Sequence, residues 1–215
     1  MTGVEARHIK QLAMMRGWLE GAKFYAALEA LELVQGLEKG TRKDGKTPKF
    51  HHQLSVARLL TTLSKEFMHT EDTITVAFFH DVLEDHSGLW SVEKLADRFG
   101  HRVAHAVWAI SKKTDTVVKD YSVYFAEMTA DPIASLVKLA DRAHNLQTMQ
   151  GVFTYEKQAA YVAEVERWFY PMIKQARRNF PRQYPAYENL KIILRIQCNL
   201  IQHIHEVTER VKDGL

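Results

Sequence analysis

The sequence contains very little cysteine, proline or glycine. Its 215 residues include one cysteine, Cys198, so no disulfide can form within the chain, which fits a reducing compartment. The 10 glycines and 5 prolines lie mostly between segments with helical periodicity. No signal peptide is visible, and no apolar run is long enough to span a membrane. We therefore expect a cytoplasmic protein with no membrane partner.

An excess of charge of one sign is also missing. The sequence has 29 Lys and Arg residues and 26 Asp and Glu residues, and the resulting net charge of +3 does not indicate a nucleic-acid partner. Such a balance suits a small anionic ligand. Hydrophobic residues make up 46% of the chain, enough to form one core and too many for a disordered protein. We predict one domain over residues 1–215 and leave its oligomeric state open.

The spacing of apolar residues predicts helices along the whole chain. Ser91 and Asp131 are suited to cap helices, and Pro132 follows Asp131 at the first helical position. Pro171 should kink or divide the helix that contains it. Alternating, strand-like runs are absent, so the sequence predicts an all-α fold, a single helical bundle. The main predicted helices cover residues 5–38, 52–67, 73–84, 155–180 and 187–212.

Ionisable residues follow an apolar segment near the middle of the chain. His80 and Asp81 close the run Ile74–Phe79, which is apolar almost all round and is therefore predicted to be buried. Glu84 and Asp85 come one helical turn later, so the spacing predicts that the four side chains cluster at one helix end.

Two further residues of this type interrupt other apolar stripes. His52 lies on the stripe of an earlier helix, and Asp141 lies on that of a later one. Burying carboxylates without partners costs about several kcal/mol each, and a divalent metal would offset that cost. Together with His80 and Asp81 they form a set of two imidazoles and two carboxylates. This set suits Mn²⁺, Fe²⁺ or Zn²⁺, with its oxygen ligands favouring Mn²⁺. His144 is expected to pack against these ligands or to hydrogen-bond behind them, and not to bind the metal itself.

Four motifs resemble the hydrolase domain of RelA/SpoT-type alarmone enzymes, in family order. The motifs lie within residues 42–149, and weaker similarity continues into a helical C-terminal extension at 155–212. The resemblance implies one HD-type domain with no room for a synthetase or regulatory domain, as in a stand-alone small alarmone hydrolase. The motifs are Arg42-Lys-Asp-Gly45, His52-Gln-Leu-Ser-Val-Ala57, His80-Asp-Val-Leu-Glu-Asp85 and Val137-Lys-Leu-Ala-Asp-Arg-Ala-His-Asn145.

The resemblance implies hydrolysis of the 3′-pyrophosphate of ppGpp or pppGpp to GDP or GTP and pyrophosphate, which lowers the alarmone level of the stringent response. One Mn²⁺ per chain would be held by His52, His80, Asp81 and Asp141. Glu84 and Asp85 would orient and deprotonate the attacking water. The nucleotide-binding residues would be Arg42, Lys43 and Asp44 at the base, Asn145 and Thr148 at the ribose side, and Lys138 and Arg142 at the phosphates.

Three residues depart from the family pattern. Gln53 replaces a proline after the first histidine, and His86 replaces a small hydroxyl residue after the Glu-Asp pair. Asp44 stands where a small polar residue often meets the purine edge. Because a carboxylate can accept hydrogen bonds from guanine or from the amino group of adenine, base preference stays open. The alternatives are an HD phosphohydrolase of ppApp-type nucleotides or NADPH, and a metal-bound alarmone sensor with weak turnover.

Overall fold

A computed structural model describes residues 3–212. Within this range the protein contains twelve α-helices and no strand, apart from two isolated β-bridges at Thr41–Pro48 and Lys113–Val118. The predicted all-α fold is confirmed. None of the helices in the described range combines the length and the apolar character needed to cross a bilayer.

The helices follow one another through mostly short connections, and 3₁₀ turns lie at Ser64–Glu66 and Pro181–Gln183. In chain order they are α1 (Gly3–Ala22), α2 (Tyr25–Leu37), α3 (His51–Thr61), α4 (Thr70–Phe79), α5 (Val82–Asp85), α6 (Val92–Phe99), α7 (His101–Ile110), α8 (Tyr121–Ala130), α9 (Ala134–Thr148), α10 (Tyr155–Glu164), α11 (Tyr170–Asn179) and α12 (Tyr184–Lys212).

Helix α4 occupies the centre of the bundle. Every side chain from Thr73 to Phe79 is buried, and the helix contacts α2, α3, α7 and α9. Thr73 and Thr75 are accommodated there because each hydroxyl donates to a backbone carbonyl four residues earlier, those of His69 and Glu71. The predicted burial of this segment is therefore confirmed.

Helix α9 is the second central element and carries the last of the four motifs. It packs against α3, α4, α8 and α12, and Ser135 Oγ lies 2.7 Å from the hydroxyl of Tyr187 on α12. The carboxylate of Asp131 accepts hydrogen bonds from the N–H groups of Ile133 and Ala134, but α9 begins only at Ala134. Asp131 therefore organises the turn that leads into the helix, and Pro132 does not occupy the first helical position as predicted.

The helix predicted over 155–180 is divided just before Pro171. Helix α10 ends at Glu164, the backbone widens into a π-helical turn at Val165–Phe169, and α11 begins at Tyr170. Pro171 has no N–H to donate, and its ring crowds the carbonyl one turn earlier. A wider turn relieves that crowding without ending the helical path.

A second break separates His80 and Asp81 from the residues after them. Helix α4 ends at Phe79 and α5 begins at Val82. The predicted continuous helix over 73–84 is therefore interrupted at the candidate metal ligands, and Glu84 does not continue the face of α4.

Gln183 connects three parts of the bundle and generates a test of the packing. Its side chain is fully buried, accepts from the N–H of Met68, and donates to the carbonyl of Pro132 and to the hydroxyl of Tyr187. Gln183→Met would leave buried polar groups without partners, so we expect the free energy of unfolding to fall by about 2–3 kcal/mol. Urea denaturation measures this change. Gln175→Met, at an exposed position, is the control and should change stability little.

Candidate metal centre and adjoining cavity

Three segments of the bundle bring the candidate metal ligands together. His52 comes from the first turn of α3, His80 and Asp81 from the break between α4 and α5, and Asp141 from the middle of α9. His52, His80 and Asp141 are each no more than 5% exposed. The packing of α3, α4 and α9 therefore places ligands from distant parts of the sequence in one buried cluster.

The distances between their ligand atoms fit a divalent cation. His52 Nε2 lies 3.0 Å from His80 Nε2 and 3.1 Å from Asp141 Oδ1, and His80 Nε2 lies 3.1 Å from Asp81 Oδ2. An ion bound at about 2.1 Å to each atom would keep neighbouring ligands roughly 3.0–3.4 Å apart. Ligand atoms of His52, His80 and Asp81 all lie within 4.8 Å of one another.

The rear nitrogens of both imidazoles are engaged, so their Nε2 atoms face the cluster. His80 Nδ1 lies 2.8 Å from the carbonyl of Ala77 and donates to it, so Nε2 is the ring nitrogen that would bind a metal. His52 Nδ1 lies 2.8 Å from His144 Nδ1. Burial, together with the neighbouring His52, lowers the pKa of His144 to about 3, so this ring is neutral. His144 thus supports a ligand from behind, as the sequence analysis expected.

Both carboxylates of the cluster are held in their ionised form. Burial raises the pKa of Asp141, but Lys138 and the two imidazoles hold it well below its ordinary value. Lys138 Nζ lies 2.9 Å from Asp141 Oδ2, and Asn145 Nδ2 donates to Asp141 Oδ1 at 2.6 Å. Burial also raises the pKa of Asp81, but the nearby His80 lowers it by more, and the resulting pKa is about 2. The donor set carries two negative charges, which a cation would neutralise.

A cavity of about 490 Å³ opens beside the cluster. Its lining includes His52, Asp81 and Asp141, whereas His80 lies behind them and is 1% exposed. The cavity brings together eleven of the thirteen residues predicted for the site. In addition to the three ligands these are Arg42, Lys43, Asp44, Asp85, Lys138, Arg142, Asn145 and Thr148.

Arg142 contributes to the wall of this cavity, and part of its guanidinium is buried without hydrogen bonds. Its guanidinium lies 4.4 Å from the ring centre of Tyr161 and 4.8 Å from that of Phe169, and Nη2 donates to Glu164 at 2.7 Å. Its buried Nε and Nη1 have no hydrogen-bond partner among the described residues. A buried guanidinium with free donors is suited to bind an anion.

Asp44 organises the loop before α3. Its carboxylate accepts from the hydroxyl and N–H of Thr47 and from the N–H of Lys46, and these hydrogen bonds lower its pKa to about 2. Gly45 adopts a φ of 69°, which favours glycine at the turn. The motif resemblance implies for Asp44 only a contact with the purine. An aspartate at the start of a Gly-containing turn is the signal that indicates this second role.

The two carboxylates of α5 have different surroundings. Asp85 lines the cavity, and its Oδ2 lies 3.6 Å from Lys49 Nζ. Glu84 is turned toward the loop after α7, where Oε1 accepts from the N–H of Lys112 at 2.5 Å and of Lys113 at 3.3 Å. Glu84 is the one predicted site residue that is neither at the cavity nor in contact with the metal-ligand cluster.

Sequence reasoning missed a buried glutamate behind Asp85. Glu38, just after α2, is 5% exposed, and its Oε2 lies 3.1 Å from Lys49 Nζ. Its Oε1 lies 2.7 Å from His86 Nε2. The replacement at His86 is therefore matched by a partner 48 positions earlier, and no local pattern in the sequence indicates that pairing.

Comparisons with known proteins bear on the family. An HD-domain family model matches residues 30–119, which include His52, His80 and Asp81. The chain is 32% identical over 136 residues to a guanosine-3′,5′-bis(diphosphate) 3′-pyrophosphohydrolase of Aquifex aeolicus, a match that covers 61% of this chain and 18% of that protein. It is also 31% identical over 142 residues to a GTP pyrophosphokinase of Myxococcus xanthus, with the same two coverages. The predicted resemblance to RelA/SpoT-type HD domains is confirmed.

Two facts limit how much of the relatives' function these matches assign to this chain. The chain spans 15–22% of the length of the curated relatives it matches, and these include proteins named for synthesis as well as for hydrolysis. A solved structure described as a metazoan ortholog of SpoT that hydrolyzes ppGpp aligns with a TM-score of 0.56 at 22% identity. It covers 77% of this chain and 93% of its own. That likeness supports the fold.

The hydrogen bond between His52 and His144 generates a test of the metal centre. His80→Ala removes a ligand and should abolish tight binding of Mn²⁺. His144→Ala keeps all four ligands but frees the His52 ring, so affinity should fall about 10- to 100-fold. Titration of metal-stripped protein measures both effects. His101→Ala, at an exposed position, should bind like the unaltered protein, and full affinity in His80→Ala would contradict the assignment.

Proposed function

Because the chain carries an HD domain similar to those of RelA/SpoT-type proteins, we propose that it hydrolyses the 3′-pyrophosphate of ppGpp and pppGpp. The products are GDP or GTP and pyrophosphate, and the reaction lowers the alarmone level that signals starvation. The names of the hydrolytic relatives support this choice of substrate. The core at 42–149 and the extension at 155–212 act as one unit, since Tyr161 of the extension lines the same cavity as Asp141.

The proposal rests on one observation: candidate metal ligands and several cationic side chains line the same cavity. A nucleotide with two pyrophosphate groups is strongly anionic, and cations at the wall would neutralise it without a large net charge on the protein. Asp85 lies in the same cavity, so a proton acceptor is available beside the bound phosphates. The cationic side chains proposed to face the nucleotide are Arg42, Lys43, Lys138 and Arg142, whereas Lys49 also lines the cavity but is paired with Glu38 and Asp85.

His52, His80, Asp81 and Asp141 would hold the cation, and we propose Mn²⁺ because two hard oxygen ligands accompany the two imidazoles. A bound divalent cation supplies Lewis acidity and lowers the pKa of water. Lys138 and Asn145 hold the Asp141 carboxylate in place, at 2.9 and 2.6 Å. The ligands are thus positioned before the substrate arrives.

Asp85 is the proposed proton acceptor. The oxygen of the attacking water bonds to the 3′-linked phosphorus, and the bond between that phosphorus and the ribose 3′ oxygen breaks. Asp85 takes the proton that the water loses, and the departing 3′ oxygen takes up a proton. Arg142 and Lys138 are proposed to bind the phosphates and stabilise the negative charge that builds up there. Glu84 fixes the loop at Lys112 and Lys113 beside Asp85.

Arg42, Lys43, Asn145 and Thr148 are proposed to bind the base and ribose. Arg42 is suited to stack on the purine, because a guanidinium is planar and weakly hydrated. The Asp44 oxygens already accept three hydrogen bonds within their own loop, which weakens the case for base reading by this carboxylate. A ppApp-type nucleotide remains the second candidate substrate, since no side chain assigned here excludes an adenine amino group.

A product assay tests the proposed reaction. Metal-stripped protein should form GDP and pyrophosphate from ppGpp only after Mn²⁺ is added. Asp85→Asn should lower kcat at least about 100-fold, because general base catalysis contributes on that order. Glu84→Gln should cost less, since its uncharged side-chain oxygen can still accept from the loop. Nucleotide affinity should survive both changes.

Three outcomes of that assay contradict the proposal in different ways. Faster turnover of ppApp or NADPH than of ppGpp would replace the substrate. No turnover of any of them, in a protein that binds Mn²⁺ and ppGpp, would favour the sensor interpretation. Full activity in Asp85→Asn would remove this residue from the proton-transfer step. Asp115→Asn, an exposed carboxylate outside the cavity, is the control.

Glu38 is proposed as a positioning residue, because it holds Lys49 next to Asp85. Glu38→Gln keeps the shape of the side chain but removes the charge that binds Lys49, so kcat should fall about tenfold, equivalent to about 1.4 kcal/mol. KM and Mn²⁺ affinity should change little, since Glu38 does not line the cavity. Glu32→Gln, on the exposed face of α2, should leave kcat unchanged. A raised KM at constant kcat would show instead that Lys49 acts on the substrate.

A further inference from the structure

Gln53 is a buried polar residue in the wall of the cavity beside the metal-ligand cluster. It follows His52 directly in α3, lines the cavity and is 3% exposed. Its side-chain oxygen is buried and has no hydrogen-bond partner within residues 3–212. A buried acceptor without a partner destabilises the folded state. An unpaired amide oxygen at a cavity wall therefore indicates a ligand that completes its hydrogen bonding.

The amide is also a departure from the family pattern. A proline usually follows the first histidine of the motif, and a proline ring has no polar side-chain atom. Glutamine at this position therefore adds a hydrogen-bonding group to the cavity wall. The fold makes no use of the amide oxygen, since no residue in the described part of the chain donates to it.

Gln53 lies on the side of the cavity that holds the proposed proton acceptor. Lys49 precedes it by four positions, about one helical turn, and lines the same cavity. Backbone hydrogen bonds carry the helical path of α3 back to Lys49, so both side chains leave this segment on roughly the same side. Lys49 Nζ lies 3.6 Å from Asp85 Oδ2. Gln53 is thus next to a candidate metal ligand in the chain and on the Asp85 side of the cavity.

The chemistry of the unpaired atom selects the ligand. An amide oxygen only accepts, so its partner must present an O–H or N–H group. The phosphate oxygens of an alarmone are mainly ionised at neutral pH and have few hydrogens to donate, whereas water has two. The terminal torsion of a glutamine side chain has broad minima, so the amide can turn its oxygen toward the cavity.

We propose that Gln53 accepts a hydrogen bond from the attacking water and orients it toward the 3′-linked phosphorus. One O–H of the water donates to Gln53, the proton of the other O–H passes to Asp85, and the water oxygen bonds to phosphorus. Two acceptors fix both hydrogens of the water and therefore the direction of its lone pair. The amide itself neither gains nor loses a proton. This role rests on the proposed hydrolysis and adds the residue that directs the nucleophile.

Urea denaturation without nucleotide tests whether the amide is free in the folded protein. Gln53→Met keeps the length of the side chain and removes the unpaired oxygen, so the urea midpoint should stay or rise. Gln183→Met is the matched comparison, because the same replacement there removes an amide that has partners and should lower the midpoint. A midpoint that falls in Gln53→Met would overturn the proposal, since the amide would then serve the fold.

Turnover kinetics test the role in the reaction. Gln53→Met should lower kcat about tenfold, because a poorly directed nucleophile attacks less often. KM and the affinity for Mn²⁺, measured by titration, should stay within about twofold of the unaltered protein. Gln175→Met, an exposed glutamine outside the cavity, is the control and should leave all three quantities unchanged.

The possible failures can be told apart. A raised KM at constant kcat would show that the Gln53 oxygen binds the nucleotide, and loss of Mn²⁺ binding would show that it supports the metal ligands; either would overturn the proposal. An unchanged kcat in Gln53→Met, in an active protein, contradicts this role alone. Absence of turnover in the unaltered protein contradicts the proposed function and this role with it. Faster turnover of a ppApp-type nucleotide changes only the substrate used for the comparison.

Discussion

Two carboxylates and two imidazoles meet in the interior of a helical bundle, and much of the surrounding structure compensates for the charge they bring. Asp141 is 4% exposed, a location where an unpartnered carboxylate would be strongly destabilising. Lys138 and Asn145 each bind it, and His52 Nε2 lies 3.1 Å away. These contacts keep the site ionised and rigid, and the donor atoms stay at separations that a divalent cation needs.

The break in the C-terminal helical segment connects this centre to the cavity wall. The wide turn at Val165–Phe169 arises because Pro171 cannot complete an ordinary helical turn. Phe169, the last residue of that turn, packs on one face of the Arg142 guanidinium, and Glu164 binds it just before the turn. The extension therefore contributes to the cavity wall, and one proline contributes to the position of the guanidinium that is proposed to bind phosphate.

A second buried network lies on the other side of the cavity. Glu38, after α2, joins Lys49 of the loop before α3 to His86, the residue after α5. Because α5 also carries Asp85, this network fixes the proposed proton acceptor relative to the loop that would hold the base. His86, which departs from the family pattern, thus has a hydrogen-bond partner in Glu38.

Local sequence patterns predicted much of the fold. Apolar periodicity predicted the helices, since it depends on residues within one or two turns, whereas the start of α9 predicted from Asp131 and Pro132 was two residues too early. The break after Phe79 and the π-helical turn before Pro171 differ from the simple periodic prediction. At both places a local backbone constraint or a ligand position overrides the preference for a continuous helix.

The sequence alone also determined the chemical character of the site: two histidines and two aspartates on apolar helix faces, with basic residues in the preceding loop. Only the tertiary structure decided how these groups are used. It separated Glu84 from Asp85 and paired Glu38 with His86. Those outcomes depend on contacts between residues up to 48 positions apart, which arise from helix packing and leave no periodic signal in the chain.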